Sequence, residues 1–406
     1  MQIEIRPARP EEMEEQRRIA RETNVLPPGF ISHEFINGIT HDMTLCAFVD
    51  DNMATSYAVW PLIMRFNGKD APVAGVSMVG TLPVYRKMGC LRKVHERHFD
   101  LLHEEGKRHI SILFASQAAI YQRYGYGIVS TQNSYDIAPY DIQFREKKQI
   151  NPRGKLVQLR DKNIEILDSI YREFTIPRTG YLIRDRFKWE TGKLAPPVAP
   201  GGVQDQIIYE EAGVARGYVI YNVEPNLSGA GFGQRVTIKE MAWLSTSAYY
   251  SLWNHLTNMH LAQNIIWMQA PPDDPMPHLL LEPRRLNIKS GNGFLSRIVD
   301  VEKAIPMRGY GEDGELVFEV HDDAICPWNN GTWHMIVSEG KASIKKTKKT
   351  PEVSMNANSL VMLLFGQLSA TSAARMGIID VKKKNVLIRY DRLLKTEYMP
   401  FCGDII

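Results

Sequence analysis

The stretch that decides the fold is 79–92, Val-Gly-Thr-Leu-Pro-Val-Tyr-Arg-Lys-Met-Gly-Cys-Leu-Arg. The apolar residues 73–79 predict a strand that runs into it, and the basic turn that follows leads into a predicted helix. At the start of a helix, several backbone N–H groups point at one place and the helix dipole adds positive potential. Arg86 and Lys87 add charge, and Gly89 lets the backbone come close to a ligand. The stretch therefore predicts a site for a phosphate or pyrophosphate.

The composition is that of an ordinary globular protein. The chain has 406 residues, which at roughly 100–200 residues per domain predicts two to four domains. Hydrophobic residues make up 44% of the chain and charged residues 23%, as in typical soluble proteins. The net charge of +3 is too small to indicate a nucleic-acid partner, and we expect none. The longest apolar run, 360–365, is far shorter than the ~20 residues that a membrane span needs, so no span is predicted.

The cysteines and histidines give no metal-binding pattern. The cysteines lie far apart at positions 46, 90, 326 and 402, which predicts neither a metal site nor a disulfide, and a reducing cytoplasm is the simplest location. The N-terminal residues are too charged for a signal peptide. In the run 95–98, His-Glu-Arg-His, the histidines are three positions apart, not four as in His-Glu-x-x-His. This spacing favours a solvated helix face over a metal site.

Changes of pattern divide the chain into three ranges, 1–150, 151–290 and 291–406. The first range predicts the order β-α-β-β-β-α-β-α-β, with a hairpin around residues 50–52 and a last strand over 128–137. The second range predicts a similar hairpin-strand-helix-strand order, with a hairpin around Gly213. Its helix is predicted over 247–263, without an Arg-x-x-Gly turn before it. The second range therefore has the shape of the first without its phosphate site.

The third range has a different pattern. It predicts a strand that enters a helix within 294–304, and then three strands at 316–321, 332–338 and 342–348. Five lysines between positions 341 and 349 indicate an exposed edge strand that is protected by charge. An amphipathic helix over 359–370 is predicted, with Asn358 as its N-cap. The whole chain is therefore predicted to be of the α/β (α+β) class.

Two motifs resemble a known superfamily. The run 86–91, Arg-Lys-Met-Gly-Cys-Leu, is similar to the Arg/Gln-x-x-Gly-x-Gly/Ala loop of the GNAT acetyltransferases, with Leu91 where a small residue is usual. The run 121–126, Tyr-Gln-Arg-Tyr-Gly-Tyr, is similar to their Tyr-x-x-x-Gly-Phe/Tyr segment. Over its whole length the chain resembles the enhanced intracellular survival (Eis) aminoglycoside acetyltransferases. That resemblance implies tandem GNAT folds, the second degenerate, followed by a domain similar to sterol carrier protein.

The resemblance also implies an activity. It implies an acetyl-CoA-dependent N-acetyltransferase that acts by direct transfer on primary amines of a polyamine-like small molecule, such as an aminoglycoside. Tyr121 is then the general acid, with Tyr126 as a fallback, and the C-terminal carboxylate of Ile406 is the general base. Asp404 adds negative potential for a cationic amine. A homo-oligomer, with a hexamer suggested by the family, is implied as well.

The same resemblance and the motif together indicate which residues hold acetyl-CoA. A backbone N–H near Val79 is the predicted donor to the oxyanion. The predicted binding residues are Val79, Gly80, Thr81, Arg86, Lys87, Met88, Gly89, Cys90, Leu91, Arg92, Ser116 and Gln117.

Other hypotheses stay open at this point. One is a lipid- or sterol-binding protein with a vestigial acetyltransferase half, and another is a protein lysine acetyltransferase. Without the resemblance, Tyr121 is better explained as a core aromatic residue. Cys90 is better explained as a small loop residue than as a nucleophile.

Overall fold

The structure is a computed structural model that describes residues 2–24, 32–146, 154–160, 163–226 and 233–406. Its strands are β1 Ile3–Arg6, β2 Cys46–Val49, β3 Asn52–Phe66, β4 Lys69–Thr81, β5 Ile110–Leu113, β6 Gly127–Ile128, β7 Thr131–Ile137, β8 Lys155–Gln158, β9 Thr179–Leu182, β10 Val203–Glu211, β11 Val214–Asn226, β12 Gly233–Trp243, β13 Ala262–Ala270, β14 Lys289–Asn292, β15 Leu295–Ile298, β16 Gly314–Val320, β17 Gly331–Ser338, β18 Lys341–Lys346, β19 Val353–Met355 and β20 Ile379–Val381. Its α-helices are α1 Met13–Asn24, α2 His33–Asn37, α3 Cys90–Glu105, α4 Ala118–Gln122, α5 Ile164–Thr175, α6 Arg186–Lys188, α7 Thr246–Thr257, α8 Met276–Leu279, α9 Val301–Ala304, α10 Ala357–Phe365, α11 Ala370–Arg375 and α12 Leu387–Leu393.

The chain folds into two compact units, each built from separate stretches. The first unit contains Met1–Ser130, Pro177–Ile183 and Gly293–Ile406, and the second contains Thr131–Ile176 and Arg184–Asn292. The first unit thus draws residues from all three of the ranges predicted from the sequence. The division into domains 1–150, 151–290 and 291–406 stays a prediction.

The first unit is built on a mixed sheet with the strand order β1-β2-β3-β4-β5-β15-β6, and β9 pairs with β3. The predicted hairpin around 50–52 is confirmed: β2 and β3 are joined through Asp50 and Asp51, whose φ angles of 46° and 66° are those of a tight hairpin turn. The predicted strand over 128–137 is wrong. Those residues divide between β6 and β7, because β15 takes the place beside β5 and β7 enters the sheet of the second unit.

The core of the first unit packs α3 against the sheet. Val94, Phe99, Tyr57 and other apolar side chains form one buried cluster there. His95 and His98 belong to the same face of α3, and their exposed fractions are 0% and 3%. The prediction of a solvated histidine face is therefore wrong, because the 3.6-residue period of the helix puts both histidines among the buried positions.

The second unit has its own sheet, in the order β14-β7-β13-β12-β11-β10-β8. Its predicted hairpin is confirmed, with Ala212 and Gly213 at φ angles of 49° and 80° between β10 and β11. Helix α7 ends at Thr257, earlier than the predicted end at 263, and β13 begins at Ala262. A separate apolar cluster, which includes Trp253 on α7, fills this unit.

The C-terminal part of the first unit has a sheet of order β18-β17-β16-β19-β20. The predicted meander is confirmed by β16, β17 and β18, and β18 lies at the sheet edge with Lys341, Lys345 and Lys346 exposed. The predicted cap of the following helix is wrong by two residues. Asn356 caps α10, because its side chain accepts a hydrogen bond from the N–H of Ser359 at 2.9 Å.

No helix in the described part of the chain is long and apolar enough to cross a membrane.

Candidate active site

The middle of the site is an irregularity in β4. The pairing of β4 with β3 shifts register between Ser77 and Gly80, and Met78 has a φ of 53° there. The carbonyl oxygen of Met78 accepts a hydrogen bond from Ser56 Oγ at 2.8 Å, and that of Val79 accepts one from Asn24 Nδ2 at 3.0 Å. At this bulge, side chains therefore replace the backbone N–H groups of β3 as hydrogen-bond donors. The bulge turns the backbone of β4 away from β3.

Beyond the bulge, β4 separates from the strand on its other side. Within the described residues, β4 pairs with the parallel strand β5 at Ala74 with Ser111 and at Gly75 with Ile112, whereas β4 continues to Thr81. Both strands end at the same edge of the sheet. This edge carries the loop 82–89 after β4 and Ser116 after β5. Ligands bind at this edge in many parallel sheets.

The loop after β4 ends in a helix start suited to an anion. Lys87 and Gly89 have φ angles of 66° and 84°, and Gly89 is the N-cap of the 16-residue helix α3. A Cβ added at Gly89 would have no described atom within 4 Å. Because glycine offers no capping side chain, the first N–H groups of α3 face outward without a side-chain acceptor from their cap. This is the geometry that binds phosphate at helix N-termini.

The side chains of the loop are mostly exposed. Arg86, Lys87, Met88 and Arg92 all lie at the surface, where the cations add positive potential to the helix start. Arg86 Nε donates a hydrogen bond to the carbonyl oxygen of Thr81 at 3.1 Å, which fixes the turn. Leu91 is half-buried and packs on the core.

Two predicted binding residues have packing roles in this structure. Cys90 is 2% exposed, and burial raises the pKa of its thiol, so it is not an activated nucleophile. A Cβ at Gly80 would lie 1.7 Å from Thr23 Oγ1, so only glycine allows α1 to cross β4 there. Ser116 and Gln117 are exposed, and Gln117 is the N-cap position of α4.

Tyr121 lies on α4 at the base of this edge. Its side chain is 7% exposed, and burial, with a smaller effect from Tyr124, raises the pKa of the phenol to about 12. The hydroxyl is therefore protonated at neutral pH. Tyr126 is fully buried, its hydroxyl lies 2.7 Å from Ser111 Oγ, and burial raises its pKa as well. The structure gives Tyr126 a packing position.

His95 lies among the tyrosines, a position that was not predicted from the sequence. Its ring stacks on Tyr124 with centroids 4.4 Å apart and meets Tyr121 edge-on at 5.9 Å. Nδ1 lies 3.0 Å from the carbonyl oxygen of Leu91, which requires that nitrogen to carry the proton. Burial lowers the pKa of His95 to about 4, so the ring is neutral at pH 7. The helical spacing of His95 from Leu91 and Leu102 was the available signal.

The last residues of the chain reach β4. The N–H of Phe401 donates to the carbonyl oxygen of Thr179 at 3.0 Å, and its ring lies 5.5 Å from that of Tyr181. Ser77 Oγ donates a hydrogen bond to the main-chain oxygen of Ile406 at 2.8 Å. A Cβ at Gly75 would lie 2.9 Å from Ile406 Cγ2. Ile406, which is 6% exposed, therefore rests on one face of β4 just before the bulge.

Comparison with known proteins agrees with this geometry. An acetyltransferase (GNAT) domain matches residues 4–129, a second one matches 180–298, and a sterol carrier protein domain matches 301–403. The chain is an N-acetyltransferase of the GNAT superfamily, and its acetyl donor is acetyl-CoA.

Curated N-acetyltransferases are similar to this chain over most of its length. N-acetyltransferase Eis of Mycobacterium tuberculosis is 26% identical over 332 residues, which cover 79% of this chain and 77% of Eis. An uncharacterized N-acetyltransferase of Streptomyces avermitilis is 27% identical over 317 residues, 76% of each chain. The chain is therefore similar to the Eis acetyltransferases over about three quarters of its length, and the resemblance predicted from its sequence is confirmed.

Solved structures show the same fold. Eis1 from Mycobacterium abscessus is 24% identical, covers 99% of this chain with 100% of its own, and has a TM-score of 0.81. A GCN5-related N-acetyltransferase from Anabaena variabilis is 21% identical, with full coverage of both chains and a TM-score of 0.87. The predicted fold class, two GNAT folds followed by a sterol carrier protein-like domain, is confirmed.

The residues present fit acetyl-CoA. Its pyrophosphate needs hydrogen-bond donors and positive charge, and the start of α3 at Gly89 with the exposed Arg86 and Lys87 supplies both. Its pantetheine arm needs a backbone edge, and the divergence of β4 from β5 leaves Val79 and Thr81 beyond their shared ladder. Acetyl-CoA supplies the acetyl thioester for the reaction.

Proposed function

We propose that this acetyltransferase transfers acetyl directly to primary amines of a polyamine-like small molecule, of which aminoglycosides are one class. The observation that carries the proposal is the acidic end of the chain against the bulge of β4. Ile406 accepts a hydrogen bond from Ser77, and Asp404 nearby in sequence is 7% exposed. Negative charge beside the bulge of β4 favours a cationic substrate with several amino groups.

The proposed proton transfers use two groups. The carboxylate of Ile406 takes the proton that the amine loses, and the Tyr121 hydroxyl gives a proton to the departing sulfur. A phenol with a pKa of about 12 is protonated when it is needed, which supports the role of Tyr121 as the acid. The proposed oxyanion donor is a backbone N–H near Val79, at the bulge.

Direct transfer is supported by the state of Cys90. The thiol is buried and burial raises its pKa, so it is a poor acceptor for a covalent acetyl intermediate. We expect initial-velocity plots that intersect, as for a ternary complex. A protein that gains an acetyl group in mass spectra after incubation with acetyl-CoA alone would contradict direct transfer.

The substrate class is tested by thiol release with a panel of amines. We expect release of coenzyme A that depends on polyamines and aminoglycosides and exceeds that with monoamines. Lysine-containing peptides in the same panel test the alternative of a protein lysine acetyltransferase. An enzyme that prefers peptides, or that responds to no amine with several amino groups, would overturn the proposed substrate class.

Tyr121→Phe tests the proposed acid. Removal of the hydroxyl should lower kcat by roughly 10²–10⁴, while the KM for acetyl-CoA changes little, because the ring still packs on His95. The measurement is steady-state kinetics with the best amine of the panel. Wild-type turnover in this variant would remove Tyr121 from the mechanism.

A C-terminal extension tests the proposed base. Residues appended after Ile406 move the carboxylate away from Ser77, and we expect kcat to fall while acetyl-CoA binding is kept. An extended protein with unchanged kcat would exclude Ile406 as the base. A cytoplasmic location and a homo-oligomeric, hexameric assembly are further proposals that rest on the family resemblance, and light scattering of the purified protein tests the second.

A further inference from the structure

The segment that carries Tyr121 is held by a side chain of the sterol carrier protein domain. Asn358, on α10, donates from Nδ2 to the carbonyl oxygens of Gln122 and Tyr126 at 2.9 and 2.6 Å. Both partners are acceptors, so the amide must present its NH₂ group, and each of the two hydrogens has its own carbonyl. The contact joins positions that are 236 and 232 residues apart in the chain.

Helix α4 needs such a partner. It spans only Ala118–Gln122, and a helix of this length is not stable by itself. Its last carbonyl groups have no donor within the helix, because the chain turns after Gln122. The oxygen of Gln122 accepts from the N–H of Gly125 at 3.1 Å and from Asn358. Asn358 therefore completes the hydrogen bonding of the residue that follows Tyr121.

The turn after α4 also rests on residues from the C-terminal part of the chain. Gly125 has a φ of 79°, and a Cβ there would lie 2.1 Å from Nη1 of Arg297. Arg297 is fully buried, and its Nη2 donates to both carboxylate oxygens of Asp323 at 2.6 Å. A Cβ at Gly127 would lie 2.6 Å from the carbonyl oxygen of Asn358. The two glycines thus allow the tyrosine segment to lie directly on its support.

Helix formation does not account for Asn358. Asn356 already caps α10 through the N–H of Ser359, so the helix start has its hydrogen-bond partner. The second asparagine is half-buried and points both of its donors at the tyrosine segment. Its contacts are those of a brace between the C-terminal domain and α4.

We propose that Asn358 is a positioning residue for acetyl transfer: it fixes the backbone of the segment 121–126 at two points, Gln122 and Tyr126, and thereby the orientation of the Tyr121 phenol. The inference rests on the proposed role of Tyr121 as the acid. Loss of the brace lets the phenol leave its reacting position but does not alter the start of α3, where acetyl-CoA binds. Turnover is then lowered and the KM for acetyl-CoA is kept.

The test compares two asparagines of the same helix in the full-length protein. Asn358→Ala should lower kcat about tenfold and leave the KM for acetyl-CoA within about twofold, since two hydrogen bonds to the segment are lost. Asn358→Asp should lower kcat further, because a carboxylate faces two carbonyl oxygens. Asn356→Ala, the matched control, removes the cap of α10 and should lower the melting temperature while kcat stays within about twofold.

The Tyr121→Phe variant separates the positioning role of Asn358 from the proposed role of Tyr121 as the acid. If Tyr121→Phe has wild-type turnover, the proposed acid is wrong and the brace has nothing to position. If Tyr121→Phe is impaired, the addition of Asn358→Ala to it should cause no further loss of kcat, because both changes act on one group. Equal kcat in Asn358→Ala and Asn356→Ala, or a further loss in the double variant equal to that of Asn358→Ala alone, would overturn the positioning role.

Discussion

The two units contain the same order of hairpin, long strand, helix and parallel strand, but their helices begin differently. In the first unit, a loop leads from Thr81 to Gly89, and α3 starts at a glycine without a capping side chain. In the second unit, α7 follows β12 almost at once, and Ser245 Oγ accepts a hydrogen bond from the N–H of Ala248 at 3.2 Å. The start of α7 is therefore capped by the Ser245 side chain, whereas the start of α3 has no capping side chain and is open to an anion.

The buried tyrosines also occupy different places in the two units. Tyr249, in the first turns of α7, meets Trp243 edge-on with ring centroids 4.6 Å apart and donates its hydroxyl to Asp274. In the first unit, the buried tyrosines Tyr121 and Tyr126 lie on the segment after β5. The two units therefore share the order of their strands and differ in the loop before the helix and in the first helical turn. These two parts decide whether a unit of this architecture has a ligand site. This supports the sequence prediction that the second range has the shape without the phosphate site.

The two units are expected to respond to pH in opposite directions. Burial raises the pKa of Asp274 from 3.8 to about 7, although Tyr135, Tyr249 and the N–H of Met276 donate to it. The folded second unit thus binds a proton that the unfolded chain releases, and its stability falls as pH rises from about 4 to 7. One proton corresponds to at most ~1.4 kcal/mol per pH unit.

In the first unit, burial lowers the pKa of His95 and His98 from 6.5 to about 4 and about 3. Here the unfolded chain binds the protons, so stability is present above pH 6.5 and is lost as pH falls toward 3. Hydrogen exchange of peptides from each unit, corrected for the intrinsic exchange rate, measures both slopes. Asp274→Asn should remove the contribution of Asp274 to the slope of the second unit and leave the slope of the first unit unchanged, and slopes of the same sign in both wild-type units would refute the contrast.

Gly89→Asp would make the first helix start resemble the second. Aspartate tolerates the left-handed backbone at φ 84°, caps α3 and repels phosphate, so the KM for acetyl-CoA should rise on the order of 100-fold. Gly106→Asp is the control, because it places the same residue in the same conformation at the other end of α3. A similar rise of KM in both variants would mean that the start of α3 is not the anion site.

Ser245→Ala has the smallest expected effect of these substitutions. It removes the cap of α7, which should lower the free energy of unfolding by about 1 kcal/mol without altering the KM for acetyl-CoA. Urea titration and steady-state kinetics on one preparation measure both quantities. An altered KM would indicate that the second unit takes part in acetyl-CoA binding.

Local patterns predicted much of the fold. Turn residues at Asp50 and Asp51 and at Gly213 placed two hairpins correctly, because a two-residue turn needs positive φ angles that few residues adopt. Gly89, before α3, was also predicted correctly as a turn residue, because its φ of 84° is one that glycine adopts easily. Asn358 was assigned the wrong role because capping depends on which of two nearby asparagines adopts the extended backbone, and the sequence does not specify that.

Features that depend on distant partners were missed. The spacing of His95 and His98 does not fit a metal motif and was interpreted as a solvated helix face, but aromatic neighbours from other elements enclose both rings. The strand 128–137 was extended through a break because no local signal announces that β15 pairs between β5 and β6. The roles of Tyr121 and Ile406 came from the family resemblance and stay proposals.

The position of β15 has a consequence for how the protein is made. A ribosome releases β5 and β6 long before residues 295–298 exist, so the nascent first sheet must wait for its missing strand with two edges unpaired. Contacts of such long sequence separation slow folding and lengthen the period of vulnerability to aggregation. The first sheet can therefore close only after residues 295–298 have been synthesised, nearly three quarters of the way along the 406-residue chain.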